Sequence, residues 1–400
     1  MAGMNETPKG ERLHIAFFGK RNAGKSSLVN AFTGQSLSIV SEVKGTTTDP
    51  VYKAMELLPI GPVMIIDTPG IDDEGDLGKL RIEKAMQVLH KTDFAIIVAD
   101  AALPLGEEEL TLLQSAKEKK IPYLIAYSKS DLPHPSIAEQ ENTVLTSAKT
   151  GEGIYELKER VAKMAGTSSS LRKIVSDLLA PGDTAILVIP IDKAAPKGRL
   201  ILPQQQTIRD ILESGASAMV CRDTELEATL QKLSTPPRMV ITDSQVFATV
   251  SKIVPESIPL TSFSILMARY KGDLPLVTAG ASTVSALKNG DKILIAEGCT
   301  HHRQCEDIGT VKIPGLLRKK LGIEPDFRFV SGTEFPDDLS SYRLVIHCGG
   351  CTLTEREMQH RLEICTRAGV PVTNYGILLA HLNGILKRSV ELFPTVASLL

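Results

Sequence analysis

The sequence predicts an α/β chain built from three successive domains, at 1–170, 171–262 and 263–400. Three observations carry this prediction. Short apolar runs of strand length recur along all 400 residues and alternate with segments of helical periodicity, the signature of parallel sheets. A glycine-rich stretch, Gly19-Lys20-Arg21-Asn22-Ala23-Gly24-Lys25-Ser26-Ser27, sits between one such run and a helix start. Five of the six cysteines lie in the last 102 residues. The length fits roughly two to three domains, and 42% apolar with 23% charged residues is an ordinary globular balance. No apolar run reaches the ~18 residues that span a bilayer, and the N-terminus has no signal-like apolar region. The expectation is a cytoplasmic protein that engages no membrane. A net charge of -2, 4% aromatic residues and no Trp argue against a nucleic-acid partner.

In the first domain, His14-Ile15-Ala16-Phe17-Phe18 reads as a buried strand and Leu28-Val29-Asn30-Ala31-Phe32 as helix. Strand, glycine loop and helix start are the setting in which G-x-x-x-x-G-K-[ST] cradles a triphosphate. Gly19 and Gly24 let successive backbone N–H groups turn toward the phosphates. Lys25 supplies a point charge to the β/γ oxygens, and Ser26 a hydroxyl for Mg²⁺. Residues 43–50 form a polar loop whose threonine can complete Mg²⁺ coordination. Val63 to Ile66 is a strand running into Asp67-Thr68-Pro69-Gly70. There Asp67 can hold Mg²⁺ through water, and the Gly70 N–H can meet the γ-phosphate. Phe94 to Asp100 and Ile121 to Tyr127 are further strands, the second ending in Ser128-Lys129-Ser130-Asp131.

These motifs, in this order, resemble the small GTPases related to translation factors. Thr47 matches the switch threonine, Asp67 to Gly70 the DxxG box, and Ser128 to Asp131 the N-K-x-D box. Ser147-Ala148-Lys149 matches the loop over the base. Asp131 can accept from guanine N1–H and its 2-amino group. Ser128 stands where Asn is usual, and a shorter side chain there predicts weaker guanine selection. Ile71 occupies the position of a water-orienting Gln, which predicts slow hydrolysis. Asn22 matches the asparagine that helps bind K⁺ in potassium-stimulated members, or serves as a residue tolerant of left-handed backbone. Residues 164–170 are small and polar, a linker by composition.

In the middle domain, Thr184 to Pro190, Ser217 to Cys221 and Arg238 to Thr242 read as strands, with helices at 206–213 and 245–250. No polar cluster there suggests catalysis, which makes this domain a candidate for self-association. Cys221 is expected in its core.

In the last domain, strands are predicted at 264–267, 292–296, 327–330, 343–346 and 370–372. Helices are expected near 283–287, 311–321, 354–366 and 377–386. Cys299-Thr300-His301-His302 follows one strand and His347-Cys348-Gly349-Gly350-Cys351 another. Both segments therefore project at the carboxyl edge of one sheet, where ligands collect. Thiolates converging there make a metal site, since a reducing compartment disfavours disulfides. A [4Fe–4S] cluster fits this donor set. So does Zn²⁺ on Cys299, His301, Cys348 and Cys351. Cys305 joins the site or packs in the core, and Cys365 is expected in the core.

A GTPase domain, a middle α/β domain and a terminal Cys-x-His … His-Cys-x-x-Cys motif together resemble the HydF family of [FeFe]-hydrogenase maturation GTPases. In this chain 45 residues separate His301 from His347, slightly fewer than in the family. The resemblance implies a [4Fe–4S] cluster on Cys299, Cys348 and Cys351 with an exchangeable fourth position. Glu306 is a candidate ligand there, and His301 and His347 are candidate ligands or supporting groups. It further implies GTP, Mg²⁺ and K⁺ as cofactors and a homodimer formed through the middle domain. Its partners would be radical-SAM maturases and the apo-hydrogenase, to which a transiently held di-iron subcluster is delivered. A redox-sensing GTPase and a tRNA- or ribosome-associated GTPase with an Fe–S or Zn domain are the competing readings.

Overall fold

Alternation of side chains across a strand decides how the first sheet is buried. Ile15 and Phe17 pack on one face, with Leu28, Phe32 and Leu157. Ala16 and Phe18 pack on the other, with Ile66, Leu89 and Leu112. A strand covered on both faces must be apolar throughout, which is why residues 14–18 carry no polar alternation. The computed structural model describes residues 9–34, 49–71, 75–137, 140–166, 172–191, 200–299, 307–332 and 334–400. They fall into two compact units, Met1–Leu171 and Arg172–Leu400.

The first unit runs β1 (Leu13–Gly19), α1 (Lys25–Thr33), β2 (Val51–Leu57), β3 (Gly61–Asp67), α2 (Gly75–Leu89), β4 (Phe94–Asp100), α3 (Glu107–Glu118), β5 (Tyr123–Ser128), β6 (Thr143–Leu145) and α4 (Ile154–Gly166). The sheet order is β2-β3-β1-β4-β5-β6. Only β2 is antiparallel to its neighbour. The chain leaves β1 for opposite sides of the sheet, so a crevice opens beyond its carboxyl end. Strands β2 and β6 have no counterpart in the sequence reading. Strand β2 is largely exposed, and β6 spans three residues, so neither makes a buried apolar run.

The second unit continues with β7 (Thr184–Val188), α5 (Leu202–Glu213), β8 (Ser217–Cys221), α6 (Leu226–Lys232), β9 (Met239–Thr242), α7 (Phe247–Ile253) and β10 (Leu260–Ser262). These strands form a parallel sheet in the order β10-β9-β7-β8. Then follow α8 (Phe263–Lys271), α9 (Leu274–Ala281), β11 (Lys292–Glu297), α10 (Ile313–Leu321), β12 (Asp326–Ser331), β13 (Leu344–His347), α11 (Glu355–Arg367), β14 (Val372–Asn374) and α12 (Tyr375–Leu382). The third sheet, β12-β11-β13-β14, is also parallel. One apolar core, from Ile174 to Val396, runs beneath both sheets of this unit.

Residues 264–267, expected as a strand, belong to helix α8. Ser262 starts it by accepting the Ile265 N–H at 3.3 Å. The helix is buried nearly all round, so its apolar residues show no amphipathic period that would separate it from a strand. The segment at 283–287 is a 3₁₀ turn, Ser282–Ala286, and a π turn at Ile308–Lys312 leads into α10. Cys365 is buried as expected. Cys221 is only half-buried, because β8 is an edge strand with Val220 47% exposed. Among the described residues no helix is long and apolar enough to cross a membrane.

Candidate functional site

The glycine loop lies at the carboxyl end of β1. Gly19 ends that strand against β4, where any Cβ would overlap the Val98 carbonyl oxygen. Lys20 pairs with Glu108 at 3.1 Å, and Asn22 adopts φ +62°, the left-handed conformation anticipated for it. Lys25, Ser26 and Ser27 form the first turn of α1, with no side-chain cap, so its leading N–H groups remain directed at the crevice. Lys25 pairs with Asp67 at the end of β3, and Ser26 Oγ donates to Asp67 Oδ2 at 2.9 Å. Phosphate-side and metal-side groups thereby meet across two neighbouring strands. A Cβ on Gly70 would stand 3.0 Å from the Arg21 nitrogen, so the DxxG turn lies directly on the loop. Ile71 is buried in the apolar core beside Phe18 and Ile66.

Ser128 clarifies the departure at its position. Its hydroxyl is buried and donates to the carbonyl of Ala23 in the glycine loop, with Ala99 O also 3.1 Å away. The residue therefore ties the end of β5 to the phosphate loop. Lys129 bonds Asp100 at 2.7 Å. Asp131 accepts the Ser147 hydroxyl at 2.7 Å, and Lys149 lies 4.0 Å from its other oxygen. Ser147 in turn accepts the N–H groups of Lys149 and Thr150, fixing the turn that contains Ala148. Thr47 lies outside the described residues.

The second cluster forms at the carboxyl edge of the third sheet. Strands β11 and β13 are parallel neighbours with Ala296 opposite His347, so the loops that follow them emerge side by side. Thr352 Oγ1 donates to Gly298 O at 2.8 Å and stitches these loops together. Cys348 Sγ receives the Gly298 N–H at 3.0 Å and the Gly350 N–H at 3.4 Å. Gly350 has φ +64°, a conformation that brings its N–H onto the sulfur and that side chains resist. Burial pushes Cys299 up to about 12, with the neighbouring Cys348 and Cys351 adding to it. Burial also raises Cys348 to about 11 against those two N–H groups, and raises Cys351 against the Lys271 charge. Without a cation these thiols stay protonated, and a bound metal would supply the charge that makes them ligands. Three neighbouring thiols with N–H groups on sulfur fit a thiolate-bound metal group. As the side chains stand, no three His, Cys, Asp or Glu among the described residues form an ion-holding group. His301, Cys305 and Glu306 lie outside the described residues.

His347 is turned away from ligation. Arg361 Nη1 can only donate, so its 3.1 Å contact makes His347 Nε2 the acceptor. The ring proton then sits on Nδ1 and bonds Cys348 O at 2.8 Å. Burial, then the Arg361 charge, lowers this histidine to about 3, so it is neutral. Arg361 is itself buried, paired with Glu357 at 3.0 Å and donating to Gly332 O at 2.6 Å. Neither Arg361 nor the buried Lys271 carries a motif. Lys271 sits 80 residues before Cys351 and Arg361 on the helix that follows the cysteine loop, and a charged residue at a helical position reads as surface.

Comparison with known proteins follows this division. Residues 174–272 match the hydrogen maturase F dimerization domain, 275–392 the hydrogen maturase F tetramerization domain, and 14–129 the 50S ribosome-binding GTPase family. The tRNA modification GTPase MnmE of Legionella pneumophila (strain Corby) is 39% identical over 163 residues, which is 39% of this chain and 35% of that protein. MnmE of Clostridioides difficile (strain 630) is 32% identical over 162 residues, 38% and 35% of the two chains. The chain thus spans about a third of the length of these relatives. The solved G domain of the T. maritima FeoB iron transporter is 29% identical, covers 39% of this chain and 99% of its own, and has a TM-score of 0.29.

Proposed function

The chain has the domain architecture of the HydF hydrogenase maturase GTPases, and from that premise we propose that it is a GTP-hydrolysing scaffold that holds an iron–sulfur group and passes a di-iron fragment to an apo-hydrogenase. The observation that carries the reading is the adjacency of the two cysteine loops at one sheet edge, in the same chain as a P-loop GTPase domain.

In this reading Lys25 neutralises the β/γ oxygens, while Ser26, Thr47 and Asp67 hold Mg²⁺. The Gly70 N–H meets the γ-phosphate, and Asp131, held by Ser147, reads guanine. Ile71 is committed to the core and cannot orient water, so turnover is slow. Asn22 contributes to a K⁺ site. Cys299, Cys348 and Cys351 would hold the cluster, which would supply iron for binding an incoming fragment. His347 fixes the loop through its bond to Cys348 O. Glu306 and His301 are the candidates for a remaining, displaceable ligand. The protein works as a homodimer through the 171–262 region, receiving its fragment from radical-SAM maturases in the cytoplasm. The half-exposed edge strand β8 offers the surface for pairing.

The deciding experiment is anaerobic purification with iron and sulfide analysis, EPR, and an apo-hydrogenase activation assay. The expectation is about four irons per chain. Cys299→Ser, Cys348→Ser and Cys351→Ser should each lose the EPR signal and activation together. Zinc in place of iron would return the case to a zinc-bearing GTPase. Turnover of GTP that follows cluster oxidation would favour the redox sensor.

A further inference from the structure

Lys271 is the last residue of α8 and is 3% exposed. Its ammonium donates to Cys351 O at 2.9 Å and Leu353 O at 2.7 Å, the carbonyls on either side of Thr352. That is the residue whose hydroxyl holds the other cysteine loop through Gly298 O. The end of α8 is fixed in turn, since Gln359 Nε2 donates to Lys271 O at 3.1 Å and Gly272 O at 2.9 Å. The start of α8 is fixed as well: Asn374 Nδ2 donates to Ser264 O at 2.9 Å, and the Gly376 N–H donates to Ser264 Oγ at 3.2 Å. Two carbonyls are enough to position an amine. The charge therefore lies against the backbone of Cys351 itself, one of the three thiols of the site.

We infer that Lys271 is a positioning residue of the thiol site, clamping the Cys348–Cys351 loop from α8 and setting one buried positive charge against the metal-bound thiolates. The inference rests on the reading that these thiols hold a metal. Helix α8 lies within the region matching the dimerization domain, and the loop lies within the region matching the tetramerization domain. The clamp therefore joins the two regions at the cysteines.

Anaerobic titration of the full chain with Co²⁺, followed by thiolate-to-cobalt charge-transfer absorption, separates the two claims. A wild-type chain without that band would remove the metal reading itself. With the band present, Lys271→Met should weaken Co²⁺ binding roughly 10- to 100-fold, the usual effect of losing a supporting group. Lys271→Arg, which keeps charge and donors, should recover most of it. After iron–sulfur reconstitution, the EPR midpoint of Lys271→Met should move to more negative potential, a change that loss of packing alone does not dictate. Lys271→Gln provides the neutral comparison if the methionine variant does not fold. Equal Co²⁺ affinity and equal midpoint in the neutral variant and wild type would overturn the inference. So would identical losses in the arginine and neutral variants.

Discussion

At the scale of single residues, the GTPase domain depends on a few buried polar contacts, each with a separable consequence. Lys25→Ala removes the partner of Asp67 and the charge proposed to meet the β/γ phosphates. GTP turnover, on the order of 10⁻⁴ to 10⁻² s⁻¹ in the absence of a finger residue, should fall below detection. Metal content of the second unit should not change. Ser128→Ala tests a different role. Its hydroxyl holds the Ala23 carbonyl of the phosphate loop, so deleting it leaves a buried acceptor without that donor. A loss of about 1–2 kcal/mol, or roughly 5- to 30-fold in GTP affinity, is expected. Discrimination against ATP should be retained, because the proposed function gives that choice to Asp131, which Ser147 holds. Competition binding with both nucleotides checks this, and a variant that loses selectivity together with affinity would show that Ser128 contributes to reading the base.

At the scale of elements, sequence reading succeeded wherever one physical signal dominated. The buried strands β1, β4, β11 and β13 are continuous apolar runs, and the loops after β1, β11 and β13 carry candidate site residues. It failed at α8, where burial on all sides erased the helical period. It also failed for Lys271 and Arg361, whose partners lie 80 and 14 residues away, so no local pattern records them. Two elements invite tests. Strand β8 presents Val220, 47% exposed, on an unpaired edge. Val220→Lys places a charge there and should shift the chain toward monomer in light scattering, with the fold of the unit unchanged. The last turns of α5 and α8 are tied to the 3₁₀ turn at 176–178, through Asp210 and through the Arg269–Asp177 pair. Burial tends to raise the Asp177 carboxyl, but the Arg269 bond outweighs it and the net shift is downward. A depressed carboxylate contributes stability that is present above its unfolded pKa and is lost as pH falls through the folded one. Asp177→Asn should therefore destabilise the unit at pH 7 and narrow its difference from wild type as the pH approaches 3, in thermal unfolding followed by circular dichroism.

At the scale of the whole chain, the boundary between the units bears on how nucleotide and metal functions are divided. The contact structure separates Met1–Leu171 from Arg172–Leu400, and the nucleotide-site groups described above, from Gly19 to Lys149, belong to the first unit. Among the described residues its two apolar layers are closed by its own helices and use none beyond 165. The second unit has a core of its own, running through both of its sheets from Ile174 to Val396. A division within that second unit, near 262, would cut through this shared core, because Phe263, Leu266 and Met267 pack in the same layer as Ile186 and Val345. The two possible cuts should therefore behave differently. Residues 1–171 should fold alone, unfold in one transition and hydrolyse GTP at the rate of the full chain. Residues 172–400 should fold and retain the thiol site. A fragment starting at 263 should lose both, since α8 would be severed from β10 and from the sheet it covers. Circular dichroism and metal titration on the three fragments decide the matter. A stable, metal-binding 263–400 fragment would show that the last sheet is autonomous and that the shared core is packing between domains, not the core of one.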